Sequence, residues 1–286
     1  MPLRMARINA FLLSYNHPEH TRRAALSLLK IGAFEKYYLI HNGSQEKHIQ
    51  LLQSQLPNFE HILMPENKGY AGGMNRAIEI LCSTESWGFF LTNDCTLEFL
   101  HSPPQSKGFW APTIFFRKMD RIDSYGGSFF PRKGLLTHRK ELSKPSSSDK
   151  RERFYIPGSA FWLDSESAQQ GGLFESKLGT YWEDVDLSQR YQEMNIPVGY
   201  DANTQVLHRG GKTCHKDPLY TLYFYQRNRA IISRRYCPRG GLARFTLECH
   251  LWTSWAHLAV RLVQKKRFAD LRFLSQAIRD SWRYAP

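Results

Sequence analysis

Three carboxylates within four positions are the feature of this chain that points most directly to chemistry. Glu183, Asp184 and Asp186 follow two aromatic residues and precede a polar helical pattern. Burial of a single unpaired carboxylate costs several kcal/mol, so an apolar core has no use for three of them. The cluster is therefore either a solvated helix start, where acidic residues are favoured, or a site for a base, a metal or a sugar.

Three other groups of residues have types that suit a ligand site. The glycine-rich stretch 66–75 can bring backbone N–H groups to a diphosphate at a helix start, although tight strand-to-helix packing gives the same composition. Asp94 ends an apolar strand, where it can hold a divalent cation or cap a turn. His208 follows another apolar stretch, where a histidine is either a ligand or structural. The spacing of the glycines matches neither GxGxxG nor a P-loop.

Alternating strands and helices must position these residues. Apolar strands are predicted at 8–14, 37–40, 61–64 and 87–91. Helices are predicted from Pro18, around Ile49 and after the glycine-rich stretch. This alternation predicts an α/β fold with a parallel, doubly wound sheet, in which ligands bind beyond the carboxyl ends of the strands. The loops predicted to converge on one crevice are 14–16, 41–44, 67–75 and 92–94.

The alternation stops between residues 117 and 153. This stretch contains many basic residues, Gly126-Gly127, and a run of serines with a proline at 144–150. Long segments without a periodic pattern are typical of loops that cover a binding site. We therefore predict a mobile excursion over the cleft.

Regular structure is predicted again after the excursion. A strand at 154–163 is interrupted by Pro157-Gly158, the acidic helix follows, and further strands lie at 198–207. We predict one catalytic domain over residues 1–218 and a basic, amphipathic, helical C-terminal extension over 219–286.

Several short motifs run through this domain in a fixed order. They are Ser14-Tyr-Asn16, His41-Asn-Gly-Ser44, Asn67-x-Gly-Tyr-Ala-Gly-Gly-x-Asn75, Thr92-Asn-Asp94, Pro157-Gly-Ser-Ala160, Gly171-Gly-Leu-Phe-Glu175, Tyr181-Trp-Glu-Asp-Val-Asp-Leu187, His208-Arg-Gly-Gly211 and Tyr225-Gln-Arg-Asn228. Collinear over about residues 7–235, they resemble the motifs of inverting family 2 glycosyltransferases, especially bacterial rhamnosyltransferase-like members. The resemblance implies the GT-A fold, a Rossmann-like fold of nucleotide-diphospho-sugar transferases, as a single domain with a C-terminal helical extension.

The resemblance also implies roles for individual residues. Asp184 is implied as the general base, with Glu183 as the second choice, and Asp94 and His208 as ligands of Mg²⁺ or Mn²⁺. The donor-binding residues that it implies are Ser14, Tyr15, Asn16, Asn42, Asn67, Gly69, Gly73, Asn75 and Asn93. Asp186 is expected to cap or orient the helix that follows the acidic cluster.

Two positions depart from the family pattern. His41 stands where the family often has an acidic residue, so recognition of a pyrimidine would rest on Asn42 or the backbone. Thr92 replaces the first carboxylate or amide of the DxD-like motif and leaves Asp94 as the one acidic ligand. We therefore expect weak metal binding, or an ion held mainly by the phosphates of the donor.

Composition limits the class of protein. The 286 residues are 42% hydrophobic and 14% aromatic, which suits one large domain with clefts that stack rings or sugars. Five cysteines without CxxC spacing predict reduced thiols in a cytosolic protein. Neither a secretory signal nor a run of 18 apolar residues is found, so we expect a soluble or peripheral protein.

The positive charge is concentrated at the C-terminal end. Of the net +13, residues 219–286 contribute 13 Lys and Arg against 3 Asp and Glu. Arg227, Arg229, Arg234 and Arg235, with the basic cluster 265–267, suit an anionic membrane surface. The alternative is a helix pair packed on the domain with a solvated basic face. We expect a cytoplasmic protein, peripheral on the inner face of the cytoplasmic membrane.

The function predicted is transfer of a sugar from dTDP-rhamnose or a UDP-sugar to a glycan or lipid-linked acceptor, in the synthesis of a bacterial surface polysaccharide such as lipopolysaccharide. A nucleic-acid-binding protein is the alternative from another class, but no RRM, KH or zinc-finger pattern is present. A sugar-binding domain without catalysis is the second alternative; the Glu183-Asp184 pair speaks against it and Thr92 speaks for it.

Overall fold

The computed structural model describes residues 7–141, 152–210, 218–237 and 269–284. The predictions for the serine-rich run 144–150 and the basic cluster 265–267 lie outside these residues.

The first half of the chain alternates between strands and helices as predicted. Its elements are β1 (Ile8–Ser14), α1 (Pro18–Ile31), β2 (Lys36–Asn42), α2 (Glu46–Gln55), β3 (Glu60–Met64), α3 (Gly69–Cys82) and β4 (Trp87–Thr92). Strands β3, β2, β1 and β4 pair in that order and in parallel. The prediction of a parallel sheet is therefore confirmed for these four strands.

The second half adds strands of mixed direction to the same sheet. Its elements are β5 (Cys95–Leu100), β6 (Phe109–Phe116), β7 (Ile122–Ser124), β8 (Gly127–Phe130), β9 (Leu135–His138), β10 (Arg153–Tyr155), β11 (Ala160–Asp164), α4 (Ser165–Gly171), a 3₁₀ turn (Ser176–Leu178), α5 (Glu183–Glu193), β12 (Val198–His208), α6 (Pro218–Tyr236) and α7 (Ala269–Arg283). The strand order continues β4-β11-β6-β12-β5, and β11 runs antiparallel to both neighbours. The sheet is mixed because β11 runs antiparallel to β4 and β6, and β5 runs antiparallel to β12, whereas β12 is parallel to β6.

Helices cover both faces of the sheet, as strand alternation requires. Phe11 points to the face covered by α3, whereas Leu12 points to the face covered by α1 and α2. Phe11 stacks on Phe90 with ring centroids 4.8 Å apart, and both are fully buried. This three-layer core fixes the carboxyl ends of β1, β2 and β4 at one edge.

Much of the predicted excursion is regular structure. In its described part, residues 117–141, β7 pairs with β6, and β8 and β9 form a hairpin that β10 extends. Gly126 and Gly127 permit this sheet, because a Cβ at either position would lie 2.2 Å or less from the rings of Phe154 and Tyr155. Close packing of aromatic rings on glycine therefore orders a segment whose sequence predicts a mobile loop.

The predicted boundary at residue 219 does not separate two packing units. Ile231 and Ile232 of α6 are buried in one cluster with Trp182 and Val185, next to the acidic residues. Helix α6 thus belongs to the same core as α5, and α7 packs against α6.

The arginines of α6 do not form a free basic face. Arg229 is buried and donates to the carbonyl oxygens of Lys133 and Gly134, and Arg235 pairs with Asp186 at 2.5 Å. Arg234 donates to a backbone carbonyl and stacks on Trp282, and Arg227 donates to another carbonyl. The guanidinium groups of these four arginines are thus engaged within the protein, and their contact with a membrane surface stays a prediction. No helix in the described ranges combines the length and apolarity that crossing a bilayer requires.

Candidate active site

A cavity of about 530 Å³ opens at the carboxyl ends of β1, β2 and β4. Its volume falls in the range of pockets for small molecules and cofactors. The predicted site residues that line it are Tyr15, Asn42, Asn67, Gly69, Asn93, Asp94, Glu183, Asp184 and His208. Residues as far apart in the sequence as Tyr15 and His208 thus meet at one place.

Asp184 is the accessible carboxylate of the acidic cluster. It lies in the first turn of α5 and is only partly buried. One of its oxygens accepts from the backbone N–H of Gly158 at 3.0 Å, and the other from that of Val185 at 2.8 Å. Burial raises the pKa of the Asp184 carboxyl, although these two hydrogen bonds work against the shift.

Glu183 has a different environment. Its carboxyl is 5% exposed, and Oε2 has no hydrogen-bond partner among the described residues. Burial raises the pKa of Glu183 well above the ordinary value, and the charge of Asp184 raises it further. When neighbouring carboxyls have different environments, the better solvated one ionises first. We therefore assign the charge at neutral pH to Asp184 and the proton to Glu183.

Asp186 points away from the cavity. It is fully buried, accepts from Arg190 Nε at 2.9 Å, and pairs with Arg235 of α6. The Tyr236 hydroxyl lies 3.2 Å from the same carboxylate. The ion pair between Asp186 and Arg190 lies within α5 and agrees with the expected role in orienting this helix. The ion pair between Asp186 and Arg235 also joins α6 to α5, and the sequence does not indicate this second role.

The turn before the acidic cluster has an uncommon backbone conformation. Tyr181 and Trp182 have φ of 66° and 72°, in the left-handed region that side chains with a Cβ avoid. Each such residue costs about 1–3 kcal/mol and persists only where the surroundings hold it. Strain of this kind concentrates at functional sites, and both residues line the cavity.

Asp94 and His208 meet in the same cavity. His208 Nε2 lies 3.3 Å from Asp94 Oδ2, and the Thr92 hydroxyl donates to Asp94 Oδ1 at 2.7 Å. Burial alone would raise the pKa of the Asp94 carboxyl, but the hydrogen bond and charge of His208, together with Thr92, lower it below 3.8. Asp94 is therefore ionised and available to a cation.

The donor set fits a divalent ion. Ligand atoms of Asp94, Cys95 and His208 lie within 4.8 Å of one another. Burial raises the pKa of the Cys95 thiol well above its ordinary value, so Cys95 remains a neutral thiol. Mg²⁺ and Mn²⁺ prefer oxygen ligands, and imidazole accompanies them more readily than a thiol does. Asp94 and His208 are thus the residues suited to hold such an ion, as predicted.

Asn42 lines the cavity but its side chain is already engaged. Its Oδ1 accepts from the backbone N–H of Lys68 at 3.0 Å, and its Nδ2 donates to the Gly69 carbonyl at 2.8 Å. Nδ2 also lies 3.1 Å from Asn67 Oδ1. Asn42 therefore holds the glycine-rich loop in place, and its contact with a nucleoside stays a prediction.

Four predicted donor-binding residues do not line the cavity. Ser14 is fully buried against the Thr21 hydroxyl at 2.8 Å, and Asn16 Oδ1 accepts from the backbone of Gln45 at 3.1 Å. Both side chains hold neighbouring segments in place, and their contact with a donor stays a prediction. The other two of these four residues lie in α3.

Gly73 and Asn75 lie in α3 and do not line the cavity. A Cβ at Gly73 would lie 2.6 Å from Leu13 Cδ1, so glycine is needed for packing of α3 on β1. Asn75 exchanges two hydrogen bonds with the backbone of Phe174, at 2.8 and 2.9 Å. Both residues have a packing or bracing role in the structure, and the contact with the donor that the motif implies stays a prediction.

His41, the position that departs from the family pattern, is also outside the cavity. It is fully buried, and its Nε2 lies 2.9 Å from His61 Nδ1. Burial and the neighbouring His61 lower the pKa of His41 to about 4, so it is neutral. A neutral, enclosed imidazole does not replace an acidic residue in recognising a pyrimidine.

Several lining residues were missed by sequence reasoning. Tyr70 donates its hydroxyl to the Gly158 carbonyl at 2.5 Å and so braces the turn whose N–H binds Asp184. Leu136 comes from the predicted excursion, and Tyr225 from α6. Tyr70 and Tyr225 stand inside motifs that the sequence singles out, so the motifs were a signal for them. Leu136 has no such signal.

We compared the chain with protein families, curated proteins and solved structures, and only solved structures are similar to it. No protein-family model and no curated protein matches the sequence. GalNAc-T7, solved with UDP, GalNAc and Mn²⁺, is similar in structure with a TM-score of 0.60 and 14% identity, over 86% of this chain and 55% of that one. TarS from S. aureus is similar with a TM-score of 0.58 and 10% identity, over 98% of this chain and 49% of that one.

A third similar structure is the mannosyltransferase PcManGT from Pyrobaculum calidifontis, solved with GDP-Man and Mn²⁺. It has a TM-score of 0.53 and 11% identity, over 100% of this chain and 83% of that one. The chain spans about half the length of GalNAc-T7 and of TarS. At these identities the likeness concerns architecture alone, and it confirms that the chain has the fold of GT-A glycosyltransferases.

Proposed function

We propose that this protein is an inverting glycosyltransferase that moves a sugar from a nucleoside-diphosphate donor to a hydroxyl group of an acceptor. The observation that carries the proposal is the single cavity in which Asp184, the Asp94–His208 pair and the glycine-rich loop meet. Two structures of the same fold contain a nucleotide or nucleotide sugar with Mn²⁺, which supports this use of the cavity.

Asp184 is the proposed general base. Inversion requires a base within hydrogen-bond reach of the attacking hydroxyl, on the face opposite the departing nucleotide. The ionised, partly exposed carboxylate of Asp184 takes the proton of that hydroxyl as the glycosidic bond forms. The two N–H groups of Gly158 and Val185 hold the carboxylate in position while it does so.

The opposite side of the cavity is proposed to hold the diphosphate. The start of α3, at Gly69, offers backbone N–H groups to an anion. Asp94 and His208 would hold Mg²⁺ or Mn²⁺, which stabilises the charge that develops on a leaving diphosphate. No protonation of the leaving group is then needed.

The finer assignments follow from the motif resemblance. The donor proposed first is dTDP-rhamnose, followed by a UDP-sugar, and the acceptor is a glycan or a lipid-linked glycan of a bacterial surface polysaccharide. A cytoplasmic location next to the membrane is proposed with that acceptor. The nucleic-acid alternative loses support, because Arg229 and Arg235 are engaged inside the protein.

A thermal-shift panel of nucleotide sugars with and without Mn²⁺ tests the proposal. A donor at 100 times its Kd stabilises the native state by about 2.7 kcal/mol, which raises Tm by several degrees. We expect this shift to require Mn²⁺ in the wild type and to be lost in Asp94→Asn, because the amide removes the charged ligand. Asp123→Asn is the matched control: Asp123 pairs with His138 at 3.2 Å and does not line the cavity.

Two results of the panel would contradict the proposal. Absence of a shift with every nucleotide sugar would contradict donor binding. An equal loss of the shift in Asp94→Asn and Asp123→Asn would contradict the specific metal role of Asp94.

The pH dependence of transfer is a second expected outcome. A base must be ionised, so kcat/KM falls as the pH decreases through its pKa. Because burial raises the pKa of Asp184 above 3.8, this fall begins at a higher pH than for an exposed aspartate. The measurement is a pH–rate profile, with unfolding monitored at each pH. Asp184 would be excluded as the titrating base if the fall of kcat/KM occurred only at or below pH 3.8. It would also be excluded if the same fall were seen in Asp184→Asn.

A further inference from the structure

An aromatic wall lines the same cavity as Asp184. It is formed by Tyr181 and Trp182 of the strained turn, Leu136 of β9 and Tyr225 of α6. The Tyr225 ring lies 5.7 Å from the Trp182 ring and 6.1 Å from the Tyr181 ring, with edges turned toward faces. The rings support one another, so the wall is a fixed surface rather than a set of separate side chains.

Asn228 of α6 holds the strained turn in place. It is fully buried, and its Nδ2 lies 2.8, 2.9 and 2.8 Å from the carbonyl oxygens of Leu178, Thr180 and Tyr181. An amide NH₂ group can bind such a set of carbonyls, whereas a carboxylate of the same shape cannot donate at all. One residue three positions after Tyr225 therefore fixes the backbone that carries Tyr181 and Trp182.

We propose that α6 builds the acceptor subsite: the Tyr225 and Tyr181 rings bind a pyranose ring of the acceptor, and Asn228 is the positioning residue that fixes this wall next to Asp184. The inference rests on the proposed function, which it deepens by naming the residues that bind the sugar ring of the acceptor. It also gives a reason for the burial of α6 in the core, which a separate C-terminal extension would not require.

The surroundings of the wall favour a sugar over an alkyl chain. A pyranose has an apolar C–H face that packs on aromatic rings and a rim of hydroxyl groups. Thr180, Glu183 and Asp184 border the wall and can bind such hydroxyls. An alkyl chain in the same place would remove water from the Asp184 carboxylate without adding to the two hydrogen bonds that it accepts from Gly158 and Val185, which is unfavourable.

The test is saturation-transfer-difference NMR with a panel of methyl glycosides of glucose, galactose, mannose, rhamnose and N-acetylglucosamine. Spectra are recorded with UDP, GDP or dTDP and Mn²⁺ present, and with octyl glucoside as the alkyl comparison. We expect saturation of the ring C–H protons of at least one glycoside in the wild type. Octyl and methyl glucoside should bind within about twofold of each other if the wall takes the ring.

Variants distinguish the contribution of the Tyr225 ring from that of its hydroxyl group and from a general effect on folding. Tyr225→Ala is expected to weaken glycoside binding at least about 10-fold, and Tyr225→Phe to retain it within about twofold. Asn228→Asp should weaken it as Tyr225→Ala does, while nucleotide affinity stays within about twofold in all three. Tyr223→Ala is the matched control: it removes an aromatic ring of α6 that binds Asp280 and does not line the cavity.

Each contrary result has a definite meaning. Binding by Tyr225→Ala as tight as that of the wild type overturns the subsite, as does saturation of octyl-chain protons alone. Loss of glycoside binding in Tyr223→Ala to the same extent also overturns it. If glycosides bind through Tyr225 but no nucleotide or nucleotide sugar binds, the subsite stands and the proposed transferase function fails.

Discussion

Asp184→Asn is expected to lower kcat for sugar transfer by about 10²–10⁴-fold, with the Kd for the nucleotide sugar changed by less than about twofold. The asparagine keeps the shape of the side chain and one of the oxygens that accept from Gly158 and Val185. It cannot take up the proton of the attacking hydroxyl. The measurement combines single-turnover kinetics with a binding isotherm for the donor.

Glu183→Gln is the matched control for this variant. Because we assign a proton to Glu183, glutamine resembles its neutral form, and we expect a much smaller loss of kcat than in Asp184→Asn. The reverse order of losses would make Glu183 the base. NMR of the product adds an independent check, since retention of the anomeric configuration would contradict a single displacement assisted by either carboxylate.

Asp186→Asn is expected to lower the free energy of unfolding by about 3–5 kcal/mol. Asp186 is fully buried and is the acidic partner of both Arg190 and Arg235. Loss of its charge leaves two partly buried guanidinium groups without compensation and loosens α6 from α5. Denaturant unfolding of the full chain measures the effect.

Glu193→Gln provides the comparison on the same helix. Glu193 pairs with Arg153 at 3.4 Å, and its side chain is 57% exposed. Solvent screens such a pair, so we expect a loss below about 1 kcal/mol. Equal losses in the two variants would show that the Asp186 network does not hold α6 in place.

The local pattern of residues was sufficient for the architecture of the first half of the chain. Strand β1 was predicted at its observed bounds, because a continuous apolar run flanked by a helix start is typical of a central parallel strand. Convergence of loops followed from the same pattern, since parallel strands present their carboxyl ends at one edge. Tyr15, Asn67 and Asp94 were therefore predicted to lie together, whereas Asp184 was added to them by the motif resemblance.

The pattern did not distinguish residues that line the cavity from residues that hold its loops. Asn67 and Asn75 have the same chemistry and lie eight positions apart, yet only Asn67 faces the cavity. The partner of Asn75 is the backbone of Phe174, 99 positions away. A motif records that both asparagines matter but not which atoms they meet.

The chain's own order of residues determined the strands, the helices, the edge at which ligands bind and the types of residue gathered there. Only the tertiary structure decided that Asn42 and Asn75 brace loops, that the α6 arginines bind inward, and that Tyr225 completes the cavity. The physical reason is the range of the forces involved. Periodicity and turn chemistry act between near neighbours, whereas an ion pair such as Asp186–Arg235 joins residues 49 positions apart and exists only once the helices have packed.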